Sequence, residues 1–162
     1  MEAVNQARQP VFFQDLQVED TLEGRFEMIC LHTGLLMEWL YKNDRAPLAQ
    51  ALFDVMFVDI DRNLRESGVG DLAVPKRIKK MMKAFKGRAF AYQEGIKKDT
   101  LDDVITRNLG ISDDTAIQTL KTYISTSYEH IKQVTWEEGI KAPSKLFIGI
   151  EYEQKSNRSS AA

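Results

Sequence analysis

Between Phe53 and Tyr92 two long helical patterns meet at the short turn Gly68-Val69-Gly70-Asp71, and this junction limits what the chain can become. Gly68 stops the first pattern as a left-handed cap, a backbone state that glycine adopts at little cost. Pro75 opens the next, where its missing amide hydrogen is one that a first helical turn leaves unpaired anyway. A helix precedes the glycines, so Gly68 to Ala73 is a helix–helix turn. Its formal match to the dinucleotide fingerprint G-x-G-x-x-A lacks the strand on which that fingerprint depends.

Helical signals dominate from residue 20 onward. Asp20 followed by Glu23 predicts a capping box. Behind it, Leu22, Phe26, Ile29, Thr33, Leu36 and Leu40 recur at three-and-four spacing on one face. Pro47 opens a second helix to about Ser67, apolar nearly all round from Leu48 to Val58, which predicts a place in the middle of a bundle. Pro75 starts a third, running to about Lys98. Thr100 with Asp103 predicts the cap of a short fourth helix ending at Gly110. Ser112, Asp113 and Asp114 cap a fifth, whose apolar face is Ile117, Leu120, Ile124, Tyr128 and Ile131. A further short helix follows Thr135. Leu146 to Tyr152 alternates apolar and small or polar residues and reads as an extended arm, since one strand makes no sheet. The expected fold is all-α: a single domain over residues 1–154, a bundle of about five to six helices with an extended C-terminal arm, and a flexible tail at 155–162.

Several function classes are excluded early. Lys plus Arg number 22 against 24 acids, and a net charge of −2 does not suit a general nucleic-acid binder; no specific nucleic acid is expected as a partner either. The single cysteine, Cys30, excludes an internal disulfide framework and fits a reducing compartment. Met28 to Tyr41 is too short for a membrane span and carries His32 and Glu38. The first ten residues lack the apolar core of a secretory signal. The paired acids at Asp102-Asp103 and Asp113-Asp114 are explained as helix starts, and no histidine or cysteine spacing matches a metal or nucleophile motif. No enzyme activity, metal or cofactor is expected. The competing reading is a small helical haem-handling protein or enzyme using His32 or His130.

The third helix carries the clearest surface signal. Lys76, Lys79, Lys80, Lys83 and Lys86 fall within about 120° of arc when turned at 100° per residue. Ile78, Met81, Met82, Phe85, Ala89, Tyr92 and Ile96 fill the opposite side. Phe90 and Gly87 land inside the lysine arc, an aromatic beside a gap, which suits a partner with acidic groups and an apolar anchor better than plain solvent. Arg77 and Arg88 border the apolar arc, where they can pair with buried acids. Asp61–Arg65 and Arg62–Glu66 are spaced for local helix pairs. Asp54, Asp61 and Arg65 share a stripe read as structural support, with coupling to Arg77 or Arg88 of the next helix as the alternative. The candidate partner-binding residues are thus Asp61, Arg65, Gly68, Gly70, Asp71, Lys76, Lys79, Lys80, Lys83, Gly87, Arg88 and Phe90.

Several motifs in order resemble one family. Ala7-Arg8-Gln9-Pro10, Val18-x-Asp20-Thr21-x-x-Gly24-Arg25-Phe26-Glu27 and Leu31-His32 are similar to the opening of the ubiquinol–cytochrome c chaperones. Phe53-Asp54-x-Met56-Phe57-x-Asp59-x-Asp61-x-x-Leu64-Arg65-Glu66-x-Gly68-Val69-Gly70-Asp71 resembles their central signature. Lys76-Arg77, Lys80-Met81, Ala84-Phe85-x-Gly87-Arg88 and Ala91-Tyr92 continue it. Lys86 departs from the pattern, which more often has an aromatic there. The resemblance implies a bacterial-type assembly factor for the cytochrome bc1 complex (complex III of the respiratory chain) that handles newly made cytochrome b. It implies a place in the cytoplasm at the inner face of the membrane. The further partners it implies are a small partner protein and the ribosome, and the lysine face itself suits acidic loops of the client or an anionic membrane surface. It also implies a segment ahead of Ala7 in the native protein, as family members usually have.

Overall fold

The spacing of helix stops and starts is realised in a computed structural model, which describes residues 2–150. Its elements are α1 (Glu2–Ala7), α2 (Pro10–Gln14), α3 (Leu22–Lys42), α4 (Ala46–Glu66), α5 (Val74–Lys97), α6 (Leu101–Leu109), α7 (Asp114–Gln133) and α8 (Trp136–Lys141), followed by a 3-10 turn, Pro143–Leu146. The all-α bundle is the expected one, with two short amino-terminal helices added. Beyond Leu146 the chain runs irregularly to Ile150 and packs on the bundle through Phe147, Ile148 and Ile150. Residues 151 and 152 of the expected arm and the expected tail lie outside the described residues.

The central helix is α3, not α4. α3 packs against α1, α4, α5, α6 and α7. From Phe26 to Leu35 its side chains are buried on every side except at Ile29, which is half-buried. The apolar run of α4 instead leaves Leu48, Val55 and Val58 exposed, at 46%, 55% and 64%. Only one side of α4 is covered, where Phe57 meets Phe26 of α3 and both Phe53 and Phe57 meet Phe85 of α5. Edge-to-face aromatic contacts of this kind add to the area they bury.

Two of the expected caps differ. Thr21, not Asp20, caps α3 by accepting from the Gly24 amide at 3.1 Å. Asp20 is captured by Arg25 at 2.5 Å. Thr100 makes no side-chain cap, and α6 relies on Gly110, left-handed at φ 69°, to close its end. Asp113 caps α7 through the Ala116 amide at 2.8 Å, and Thr135 with Glu138 forms a full capping box on α8.

The α4–α5 corner closes as the glycines foretell. Gly68 has φ 82°, its amide donates to Arg65 O, and the Val69 amide donates to Leu64 O. These two bonds are the paired closure of a Schellman end.

A second glycine sets the distance between α3 and α5. A Cβ on Gly34 would lie 2.4 Å from the carbonyl oxygen of Ala89. Gly34→Ala should therefore push the two helices apart and lower stability by about 1–3 kcal/mol. A thermal melt unchanged by that substitution would contradict the close approach.

Candidate functional site

α5 presents different chemistry to different sides. Between Val74 and Arg88 it holds seven cations and no acid. Lys76, Arg77, Lys79, Lys80, Lys83 and Lys86 are exposed, and none has an ion pair among the described residues. Elsewhere cations find acids: Lys98 reaches Glu94 at 3.3 Å, Lys121 reaches Asp102 at 3.0 Å and Lys132 reaches Glu129 at 3.0 Å. The charge of these six side chains is uncompensated among the described residues. Phe90 is half-buried against the core, and nothing lies within 4 Å of where a Cβ of Gly87 would point.

Arg77, Lys80, Met81, Ala84 and Arg88 face a cleft of about 270 Å³ whose far wall is Leu22, Glu23 and Phe26 of α3. A second cleft of about 390 Å³ shares Leu22, Phe26 and Met81 with the first and runs on over Ile29, Ile60 and Leu64. Together they make a trough with an apolar floor and cations along one rim.

Arg88 sits at the inner end of that rim and reaches the buried Glu27. Its Nη1 lies 3.3 Å from Glu27 Oε2, and its guanidinium lies 5.6 Å from the centre of the Phe26 ring. The other carboxylate oxygen, Oε1, accepts from Tyr92 Oη at 2.7 Å and from Asn108 Nδ2 at 3.0 Å. Burial holds the Glu27 carboxyl above the ordinary glutamate value, while Tyr92, Arg88 and Asn108 draw it back. The same burial pushes the Cys30 thiol well up, against any role as a nucleophile. One acid thus ties α3 to both α5 and α6.

Among the described residues the α4 stripe makes no ion pair with Arg77 or Arg88, in line with its structural reading. Arg65 instead bridges Asp61 at 2.7 Å and Asp71 at 3.1 Å, pinning the end of α4 to the turn that follows it. Arg62 pairs with Asp59 rather than Glu66, and Asp54 accepts from Gln50 at 2.9 Å. So Asp61, Arg65 and Asp71 brace the corner that Gly68 closes, whereas Gly70 lies outside the left-handed region with open space where a side chain would point. The lysines rise from the helix beyond it. Sequence reasoning missed Glu27, whose only signal is an acid set inside the apolar run from Phe26 to Leu31. It also missed Leu72, which is 98% exposed at the corner.

The histidines offer little to a haem. His32 is fully buried, donates from Nδ1 to Met28 O at 2.7 Å and accepts at Nε2 from Tyr123 Oη at 2.8 Å. His130 Nε2 donates to Lys145 O at 2.7 Å.

Three comparisons bear on this architecture. A family model described as Ubiquinol-cytochrome C chaperone matches residues 14–142. The chain is similar to a solved structure, the Cbp3 homolog from Brucella abortus, at 31% identity over 93% of this chain and 84% of that one, with a TM-score of 0.73. No curated protein matches it.

Proposed function

Because the chain belongs to the ubiquinol–cytochrome c chaperone family, we propose that it is a non-catalytic assembly chaperone that binds newly made cytochrome b and supports assembly of the cytochrome bc1 complex. The observation that carries this reading is the trough between α3 and α5. An apolar floor of Leu22, Phe26 and Met81 beside Arg77, Lys80 and Arg88 suits a client segment that is apolar with acidic flanks. Aromatic and arginine side chains at such a site contribute heavily to binding. None of the described helices is long and apolar enough to cross a membrane. The proposed working place is the cytoplasm, peripheral at the inner face of the membrane where its client is inserted. Contacts with a small partner protein or the ribosome belong to the same proposal.

A tagged chain incubated with membranes of its own host should recover cytochrome b. Arg77→Glu with Lys80→Glu should lower that recovery by tenfold or more, on the order of the loss expected when charged rim contacts are reversed. The variant's melting temperature should stay within a degree or two of the parent's, since both side chains are exposed and unpaired. Equal recovery by both proteins would move the client off the trough. No cytochrome b with either would overturn the chaperone reading for this client.

A further inference from the structure

The lysines on the outer side of α5 are not spent on the trough. The register of α5 extends backwards through the corner: the Val74 amide donates to Gly70 O, and the Arg77 amide donates to Ala73 O. Counted in that register, Leu72, Lys76, Lys79, Lys83, Lys86 and Phe90 follow one another at steps of four and three, so they form a single stripe. The stripe lies about 130° around the helix from the side that lines the trough. At about 1.5 Å per residue it is about 27 Å long. It has an apolar residue at each end and four lysines between them. Leu72 stands 98% exposed at one end, and Phe90 is half-buried at the other. Lys76, Lys79 and Lys83, with Arg77 and Lys80, frame a shallow hollow of about 530 Å³.

From this stripe we propose that α5 docks edge-on against an anionic lipid bilayer, with Leu72 entering the headgroup layer and the lysines meeting lipid phosphates. Three observations choose a bilayer over an acidic polypeptide. The stripe is a straight ridge that fits a plane, whereas the trough, on a different side, is the groove that fits a chain. None of the four lysines has a carboxylate to release among the described residues. A leucine held wholly in water at the tip of the ridge gains by leaving it, while lysine stems lie along the apolar boundary and keep their charges at the headgroups. Short-range attraction of this kind rises with each lysine that reaches the surface.

The test uses the purified chain and protein-free vesicles, so its result is independent of any cytochrome b contact. Flotation should show binding to phosphatidylglycerol–phosphatidylcholine vesicles and little to phosphatidylcholine alone. Raising the salt should release the protein, because exposed charges are screened. Lys79→Glu with Lys83→Glu should lower partition at least about tenfold, and Leu72→Ser should lower it several-fold at unchanged charge along the stripe. Circular dichroism of both variants should match the parent. Equal binding to both vesicle types, or binding unchanged by Lys79→Glu with Lys83→Glu, would overturn the proposal. Leu72→Ser binding as well as the parent would overturn the wedge. Capture of polyglutamate in place of vesicles would assign the stripe to an acidic polypeptide instead.

Discussion

Glu27→Ala is expected to lower the unfolding free energy by about 2–4 kcal/mol, because it leaves buried hydrogen-bonding groups unpaired and opens a void, although Arg88 is exposed enough to turn to water. That is a large part of the about 5–15 kcal/mol that holds a domain of this kind together. The loss has three sources. Tyr92 Oη and Asn108 Nδ2 lose their acceptor, Arg88 loses its anchor, and a void opens beside Cys30 in the middle of α3. Glu27→Gln should be milder, because the amide oxygen still accepts from Tyr92. It also isolates a pH effect. The folded carboxyl titrates above its unfolded value of 4.5, so the native state holds a proton that the unfolded chain releases. The proton-linked part of this stabilisation is fully present below 4.5 and is lost as pH rises through the folded pKa, while the hydrogen bonds and the Arg88 contact remain. Urea melts across that range should fall more steeply with rising pH in the parent than in Glu27→Gln. Parallel curves would mean that burial does not perturb this acid.

His32 should act in the opposite direction and account for about 3 kcal/mol between neutral pH and pH 4. Burial lowers its pKa from 6.5 to about 4, against a smaller upward pull from Met28 O. Below 6.5 the unfolded chain takes up a proton that the native chain refuses, so this stabilisation is present above 6.5 and disappears as pH falls to about 4. The enclosure explains the refusal. Phe12 lies 5.5 Å, Tyr123 5.9 Å and Phe147 6.0 Å from the imidazole by ring centres. His32→Gln should be less stable than the parent at neutral pH but should lack the parent's acid slope between pH 6.5 and 4. An identical slope in both would assign the acid lability to another group.

Periodicity told where helices start and stop far better than which helix lies at the centre. α4 looked central because its run from Leu48 to Val58 is nearly all apolar, and α3 did not, because Glu27, His32 and Thr33 interrupt it. In the fold each interruption has a partner far along the chain: Glu27 has Tyr92, His32 has Tyr123, and Thr33 donates to Met56 Sδ at 3.5 Å. Hydropathy counts a polar residue as a cost, and only tertiary contacts reveal that the cost is offset. The cap at Asp20 went astray for a similar reason. Two residues able to cap stand side by side, and Arg25 decides between them by binding Asp20. The lysine stripe was legible because side-chain spacing on a helix needs no tertiary knowledge. Leu72 was not, since a turn residue joins the helical count only once the Val74 amide is seen to bond back to Gly70.

Gln6 reaches both Tyr123 Oη at 3.0 Å and Ile148 O at 2.8 Å, the latter across 142 positions. The lid over His32 is therefore assembled from segments 142 positions apart, and a translating ribosome delivers one of them long before the other. Until Phe147 and Ile148 have emerged, α3 has one side of its centre unsealed, and contacts so distant in sequence close slowly. A chain halted before that point, or clipped there afterwards, would keep most of its helices and still be left ajar. The enclosure of His32 thus waits on a segment made long after α1, α2 and α3, so the centre of the bundle is the last part of it to be shut.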